Sequence, residues 1–340
     1  MNSAAHVAHL MHPAAHLIGN FPQEHLFHGN TQGDHVPMKS HRKNFSLLMC
    51  LCFIAATAST AFAQDGSPTG KCSFQKLNLP PLLDNKIVIP EALNDVGAIL
   101  GTYVQNSHPH GFLLYQGKFT TFMFPGSTDT IAHDINTTGT IVGEYTIRNG
   151  PQHAFMVHSG GFHEIKLPGF PHAPAIATGV NDKGDVVGAF QTNFTTSQGF
   201  LLHNGKLTIL SFPGAQDATT PLSINNQGVI VGTYKLSPSD TFRGFMWKAG
   251  VFSNLNPPDS GGHSEPAKIS NAGDAVGTYT STVDGMTHGF SFDKGIFTQI
   301  DVPNLKTNGI TAVNKFDNVL AEAIQGPTTI LFKGFCSAVF

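Results

Sequence analysis

The chain has 340 residues and a formal net charge of −3, and charged residues make up only 12% of it. A nucleic-acid partner is disfavoured, because binding to phosphates needs a basic patch or stripe. The charged fraction is about half that of an ordinary globular domain, so we expect exposed positions to be mostly uncharged polar residues and glycine.

Residues 1–37 lie outside the pattern of the rest of the chain and are rich in histidine. The histidines are His6, His9, His12, His16, His25, His28 and His35. One interpretation is a metal-binding tract. The interpretation we favour is a disordered segment or an upstream extension from a misassigned start, because the segment lacks the apolar content of a core and Met38 opens a complete signal peptide.

Residues 38–63 have the three parts of a secretory signal. Basic residues lie at 39, 42 and 43, an apolar run covers 45–58, and 61–63 reads Ala-Phe-Ala. Such an order predicts export with cleavage after Ala63. The run is too short for a membrane span, which needs about 20 apolar residues. We therefore expect a secreted protein, extracellular or periplasmic, with a single domain over 64–340 and no membrane span after cleavage.

One motif recurs through this domain and reads Asn-x-x-Gly-x-Φ-Φ-Gly-x-Tyr, where Φ is apolar. Its second glycine falls at 101, 143, 188, 232 and 277, and Ala321 takes the sixth place. The steps are 42, 45, 44, 45 and 44 residues. Repeats of this length that are made of short strands are typical of propeller blades.

Each copy predicts strands and turns rather than helices. The Asn-x-x-Gly start is turn chemistry, since both residues tolerate positive φ, and the β-branched and aromatic residues after it favour a strand. A His-Gly-Phe-type strand follows, then a glycine turn and a third strand that ends at proline. A short segment before each Asn, such as 175–177, is the candidate fourth strand. The recurring glycine inside a strand predicts a crowded place where neighbouring blades meet.

These copies resemble the HAF repeat of predicted bacterial extracellular proteins. His153-Ala154-Phe155 is the tripeptide of that name, and the Asn-x-x-Gly-x-Ile-Val-Gly-x-Tyr stretch is similar to the rest of the repeat. The resemblance covers about residues 72–336 and implies a secreted, all-β, propeller-like protein. It brings no catalytic residues to this chain.

The two ends of the domain complete each other. Residues 71–80 match the second half of a repeat, and residues 309–335 match a first half. We therefore predict an all-β, six-bladed propeller whose last blade is shared between N- and C-terminal strands, which also protects sheet edges. Cys50 and Cys52 leave with the signal, so Cys72 and Cys336 remain as an even pair in an oxidising compartment, and we expect a disulfide between them.

Five equivalent polar residues precede a Gly-Phe pair, or Ala-Phe in the second copy, and are the candidate ligand-binding set: His110, His153, Gln198, Arg243 and His288. Equivalent positions in a closed ring lie at one height, so the five would form a polar circle. The favoured alternative is that each side chain bonds to a neighbouring backbone, as buried polar groups must. Lone histidines such as His133 are interpreted as loop residues, and the repeated aromatic residues, Trp247 included, as core rather than as a sugar platform.

Familiar catalytic and cofactor signatures do not occur in the sequence. It contains no Gly-x-Ser-x-Gly, His-Glu-x-x-His or phosphate-cradling loop, and no cysteine pair with zinc spacing. The turn aspartates suggest calcium, but other copies of the turn lack a carboxylate, so we predict no metal and no cofactor. Carboxylates that break the repeat are Glu91, Asp129, Glu164, Asp217, Asp240, Asp259 and Glu265.

Three functions stay open at this point. The favoured one is a secreted, non-catalytic propeller that binds a protein or a polar small molecule or glycan. The second is a secreted hydrolase of glycans or esters, with paired carboxylates on loops at one channel mouth. The third is a structural element of the cell envelope or matrix.

Overall fold

The computed structural model describes residues 71–84, 86–192, 197–216, 218–325 and 328–337. The predictions for the histidine-rich segment and the signal peptide, and the thiols of Cys50 and Cys52, lie outside these residues. Within the described ranges, no helix is long and apolar enough to cross a membrane.

The described chain forms six antiparallel blades of four strands each. Blades 1–5 follow one another along the chain. Blade 1 has the strands Val88–Leu93, Ile99–Gln105, His108–Tyr115 and Lys118–Phe122; blade 2 has Asp129–Ile135, Ile141–Thr146, Gln152–His158 and Gly161–Glu164; blade 3 has Ala175–Val180, Val186–Gln191, Ser197–His203 and Lys206–Leu210. Blade 4 has Thr219–Ile224, Ile230–Tyr234, Arg243–Lys248 and Val251–Asn254; blade 5 has Ser264–Ile269, Ala275–Thr280, Thr287–Asp293 and Ile296–Ile300. A 3-10 turn, Pro81–Leu83, precedes the first blade.

The first strand of each blade lies innermost, and the six innermost strands pack on one another around a central channel. These are the segments before each Asn that the sequence offered as fourth strands. Each one turns into the second strand at its Asn, or at Ser270 in blade 5, so all these turns lie at one end of the channel, which we call the Asn mouth. The six-bladed propeller predicted from the repeat is confirmed.

The sixth blade joins the two ends of the domain. Its strands run Lys306–Val313, Asn318–Gln325 and Thr328–Ser337, and Lys71–Lys76 supplies the outermost one. Cys72 lies opposite Cys336 in this pairing, and a disulfide bond joins them. The shared blade and the disulfide are both confirmed.

The repeated glycine is crowded from within its own blade rather than by the neighbouring blade, so that prediction was wrong. Each innermost strand of blades 1–5 has a β-bulge opposite the glycine, for example between Ala132 and Asp134. A Cβ on Gly143 would run into the carbonyl oxygen of Ile131 and the ring of Phe155. A bulge re-aims the strand and exposes such a carbonyl, and glycine is the residue that fits against it.

Aromatic side chains fill the space within and between blades. The Phe of the third strand is fully buried in blades 1–5, namely Phe112, Phe155, Phe200, Phe245 and Phe290. Phe124, which follows blade 1, stacks on Tyr145 of blade 2 with ring centroids 3.7 Å apart. Phe212 stacks on Tyr234 of the next blade in the same way at 3.6 Å. The interpretation of the repeated tyrosines as core is therefore confirmed.

Candidate ligand sites in the axial channel

The repeated Asn residues link one blade to the next around the Asn mouth. Their side-chain oxygens close the turn by accepting backbone N–H groups, as Asn136 Oδ1 does from Thr140 at 2.8 Å. Their amide nitrogens donate to the carbonyl of the following blade's turn, as Asn136 does to Asn181 at 2.9 Å and Asn181 to Asn225 at 3.1 Å. In blade 5 the residue is Ser270, whose hydroxyl donates to Asp274 of its own turn.

The residue after each Asn forms a second circle of hydrogen bonds. The backbone N–H of Thr137 donates to Asp182 Oδ1 at 2.8 Å, and that of Asp182 donates to Asn226 at 2.8 Å. Asp95 accepts from the backbone of Lys315 at 3.0 Å and from the Asn271 amide at 2.9 Å. Of the turn aspartates that suggested calcium, Asp95 and Asp182 thus accept bonds from the turns of other blades, whereas Asp185 and Asp274 accept from Asn181 and Ser270 of their own turns.

A polar pocket lies on the axis inside these two circles. All six blades contribute to its lining, including Asp95, Asp182, Asn226 and Asn271. Asp134 and Lys268 also line it. We call this concavity the mouth pocket.

An ion pair crosses the channel beside the mouth pocket. Lys268 belongs to blade 5 and Asp134 to blade 2, and these blades stand on opposite sides of the ring. The Lys268 ammonium lies 3.0 Å from Asp134 Oδ1 and donates to the His133 carbonyl at 3.0 Å. The other Asp134 oxygen accepts the Val180 N–H at 3.0 Å. Every polar atom of this crossing therefore has a partner.

A second group of ionisable side chains lies near this ion pair and does not line the mouth pocket. It consists of Glu91, His133, Glu144 and Glu322, and we call it the channel cluster. Glu91, His133 and Glu144 are buried. Burial leaves several atoms without a hydrogen-bond partner in the described residues: Glu91 Oε1, Glu144 Oε2 and both ring nitrogens of His133. His133 Nε2 is 4.0 Å from Glu144 Oε1, which is too long for a hydrogen bond.

Burial sets the protonation of this cluster. It raises the pKa of Glu144 to about 8 and that of Glu322 to about 7. The pKa of Glu91 is also well above its ordinary value, because burial and the charges of Glu322 and Glu144 outweigh the attraction of Lys268. Burial, helped by the Lys268 charge, lowers the pKa of His133 to about 3. At neutral pH the cluster thus holds a neutral imidazole and carboxyls that retain much of their protonation.

The five residues predicted as a polar circle lie in the third strands of blades 1–5, two strands away from the channel wall. The side-chain contacts of His110, His153, Arg243 and His288 are within their own blades. The His153 ring stacks on Tyr145 at 5.1 Å and lies 3.1 Å from Glu164, and Arg243 pairs with Asp240 at 3.1 Å. His110 stacks on its own blade's tyrosine as His153 does, and Gln198 is half-buried like the others.

His288 has the most elaborate surroundings of the five. Its two ring nitrogens lie 2.9 Å from Asp301 and 3.0 Å from Asp284. Burial alone would lower its pKa, but the hydrogen bonds with both aspartates outweigh burial and raise it. The alternative contacts predicted for these positions, with backbones of neighbouring blades, are not the ones found for His153, Arg243 and His288.

The carboxylates that break the repeat are spread over different blades. Asp129 lies 2.9 Å from His108 of the preceding blade, and Asp259 accepts from Ser281 at 3.1 Å. Asp217 lies outside the described residues. Glu91 is the one of the seven that belongs to the channel cluster.

Three members of the channel cluster escaped the sequence analysis: His133, Glu144 and Glu322. His133 was interpreted as a loop residue, and this was wrong, because it sits in the innermost strand Asp129–Ile135. Glu144 occupies a variable position within the recurring motif. His133 and Glu144 carried a usable signal, since each places an ionisable side chain in a strand that is mostly buried.

No protein-family model matches the chain, and no curated protein sequence matches it. Similar solved structures include a catalytically inactive virginiamycin B lyase from Staphylococcus aureus with quinupristin, at 14% identity and a TM-score of 0.45 over 78% of this chain and 99% of that one. A mutant of AofleA from Arthrobotrys oligospora shares 13% identity at a TM-score of 0.45, over 79% and 87% of the two chains. Trypanosoma rangeli sialidase in complex with DANA shares 11% at 0.44, over 72% and 54%. Likenesses at this level carry no conclusion about ligand or reaction.

Proposed function

We propose that this protein is an exported binding propeller that takes a polar, hydroxyl-rich small molecule or the end of a glycan in its mouth pocket, without turning it over. The observation that carries the proposal is a polar concavity on the propeller axis to which all six blades contribute. Ligand sites are typically concave with a few well-placed polar groups.

The charges of the mouth pocket favour a neutral ligand over an anion. Asp95, Asp134 and Asp182 line it against the single ammonium of Lys268. Hydroxyl groups can donate to such oxygens and to the turn carbonyls. An anionic ligand would face the excess of negative charge.

The same carboxylates favour binding over catalysis. Both oxygens of Asp134 are engaged by Lys268 and Val180, and those of Asp182 by Thr137 and Asn226. A general base or a nucleophile must reach the substrate within hydrogen-bond distance. Carboxylates that are already held by fixed partners are better suited to shape a pocket than to move a proton.

Export is supported by two features of different kinds. The signal pattern at 38–63 is one. The other is the Cys72–Cys336 disulfide, because disulfides persist in oxidising compartments.

The test is a binding screen of the mature protein on a glycan array and by calorimetry with soluble sugars and polyols. Thr137→Trp should fill the mouth pocket and abolish binding of any ligand found. Val251→Trp places the same ring on an outer strand, where the native residue is 68% exposed, and should leave binding unchanged. Binding that survives Thr137→Trp, or turnover of the bound glycan, would overturn the proposal.

A further inference from the structure

The channel cluster raises a question that the mouth pocket does not answer. Its side chains come from three neighbouring blades: Glu322 from the sixth, Glu91 from the first, and His133 and Glu144 from the second. None of these four lines the mouth pocket. The proposed function leaves them without a role.

The charges around the cluster become unbalanced as its carboxyls lose their protons toward pH 8. Four carboxyl groups act on this part of the channel, those of Glu91, Asp134, Glu144 and Glu322, and each of the other three influences Glu91. Among the cations of the described residues, Lys268 is the one that acts on Glu91 with them, and its ammonium is already paired with Asp134. His133 adds no positive charge, because burial keeps its imidazole neutral at ordinary pH.

The cluster also presents acceptor atoms that the described protein groups do not use. Glu91 Oε1 and Glu144 Oε2 are buried without a partner, as are the His133 nitrogens, one of which is an acceptor in the neutral ring. Buried polar atoms of this kind call for an explanation, because an unpaired atom in the interior loses the hydrogen bonds that water gives it in the unfolded chain. His133 is independent of the carboxylates as evidence, since it is only 2% exposed and faces Glu144.

We propose that the channel cluster binds a small protonated amine, of the size of ammonium or methylammonium. Such a cation donates up to three or four hydrogen bonds to separate acceptors, and its charge offsets the negative charge that appears as the carboxyls ionise. A directly coordinated metal ion fits less well, because no three His, Cys, Asp or Glu side chains of the described chain are placed to hold one. The site goes beyond the proposed function, as it uses none of the residues that line the mouth pocket.

The protonation of the cluster gives the site a dependence on pH. The raised pKa values of Glu144 and Glu322 mean that these carboxyls carry protons at pH 5 and lose them toward pH 8. An amine is attracted to the ionised forms. The charged and titratable groups that face Glu91 and Glu144 are Glu322, Asp134, Lys268 and His133, and of these His133 is neutral at both pH values.

The experiment measures the thermal unfolding midpoint of the mature protein at pH 8 in methylammonium, ammonium or tetramethylammonium chloride at equal ionic strength. Tetramethylammonium carries the charge but has no N–H donor. We expect the first two salts to raise the midpoint by several degrees, in a saturable way, and tetramethylammonium to have no such effect. At pH 5 the gain should shrink.

Matched Glu→Gln variants locate the site. Glu144→Gln should lose the gain, whereas Glu164→Gln, on the outermost strand of the same blade, should keep it. Glu322→Gln is measured as well, so that a folding failure of one variant does not decide the question. Direct titration of the native protein with methylammonium gives a second readout. Equal midpoints in all three salts, a gain that persists in both cluster variants, or a crystal structure grown in methylammonium that shows only water at the cluster would each overturn the proposal.

Discussion

The mouth pocket and the channel cluster lie close together in one channel, but their polar groups differ in whether they have hydrogen-bond partners. Around the mouth pocket, residues that recur in the repeat bond to the next blade, as Asn136 does to Asn181. In the channel cluster, His133 and Glu144 stand at repeat positions where most blades have other residues, and both have buried side-chain atoms without a partner among the described residues. The polar residues that recur in nearly every blade therefore build the ring, while those that most blades lack are the candidates for an additional ligand.

The largest change expected is the loss of the ring closure on which both regions depend. The disulfide joins residues 264 positions apart, and chain entropy alone gives an upper figure of roughly 5 kcal/mol for such a loop. The double variant Cys72→Ser/Cys336→Ser should therefore unfold at clearly lower denaturant than the native protein. Thiol titration of the unreduced, denatured mature protein should find no free cysteine. Two titratable thiols would contradict the closure.

The next largest effect concerns the ion pair beside both regions. Lys268→Met should cost about 3–5 kcal/mol in the free energy of unfolding, because it leaves the Asp134 carboxylate buried without its cation. Lys294→Met is the control, since that lysine is 83% exposed at the side chain and pairs with Asp293 at the surface; its effect should stay within about 1 kcal/mol. Equal losses in the free energy of unfolding for the two variants would show that the Lys268–Asp134 pair contributes no more to stability than a surface ion pair.

A smaller change in stability is expected from variants that add or remove one hydrogen bond between neighbouring turns of the Asn mouth. Ser270 of blade 5 stands where the other blades have Asn. The turn at Asn181 in blade 3 matches the turn at Ser270 closely, because each has an aspartate four residues further on, Asp185 and Asp274, that accepts a bond from the first residue. Ser270→Asn should add a hydrogen bond to the sixth blade and stabilise by about 1 kcal/mol. Asn181→Ser should lose a similar amount. Urea unfolding of both variants checks the pair, and two changes of the same sign would refute the inter-blade role.

The repeat predicted the ring well because its spacing and turn chemistry are local properties. Phe74 and Leu77 could be aligned with Phe119 and Phe122 from spacing alone, and the pairing of Leu77 with Leu331 matches that alignment. The disulfide followed from the same closure. What creates the crowding at Gly143 could not be predicted in this way, because the bulge that turns the Ile131 carbonyl toward it depends on strand register.

The channel cluster was harder to predict because its members come from separate blades. Glu91 stood out only as a residue that breaks the repeat, and nothing local connects it with Glu322, 231 positions further along the chain. Their proximity is a product of ring closure. The opposite problem affected the five polar residues before the Gly-Phe and Ala-Phe pairs. Their equivalent positions in the repeat identified them as one set, but the sequence did not show that they lie in the third strand of each blade, away from the channel.

The most direct test of a buried, protonated cluster is the pH dependence of stability in the native protein and in Glu144→Gln, measured in buffers without small amines. The folded-state pKa of Glu144, about 8, lies above its ordinary value of 4.5, so the folded state holds the proton more tightly. The stability of the native protein relative to Glu144→Gln should thus be highest below about pH 4.5 and fall as the pH rises to about 8. The lowered pKa of His133 affects the free energy of unfolding only below about pH 6.5. It does so in both proteins, so its contribution cancels in the difference between their stabilities. Parallel stability curves from pH 5 to pH 8.5 would contradict the account.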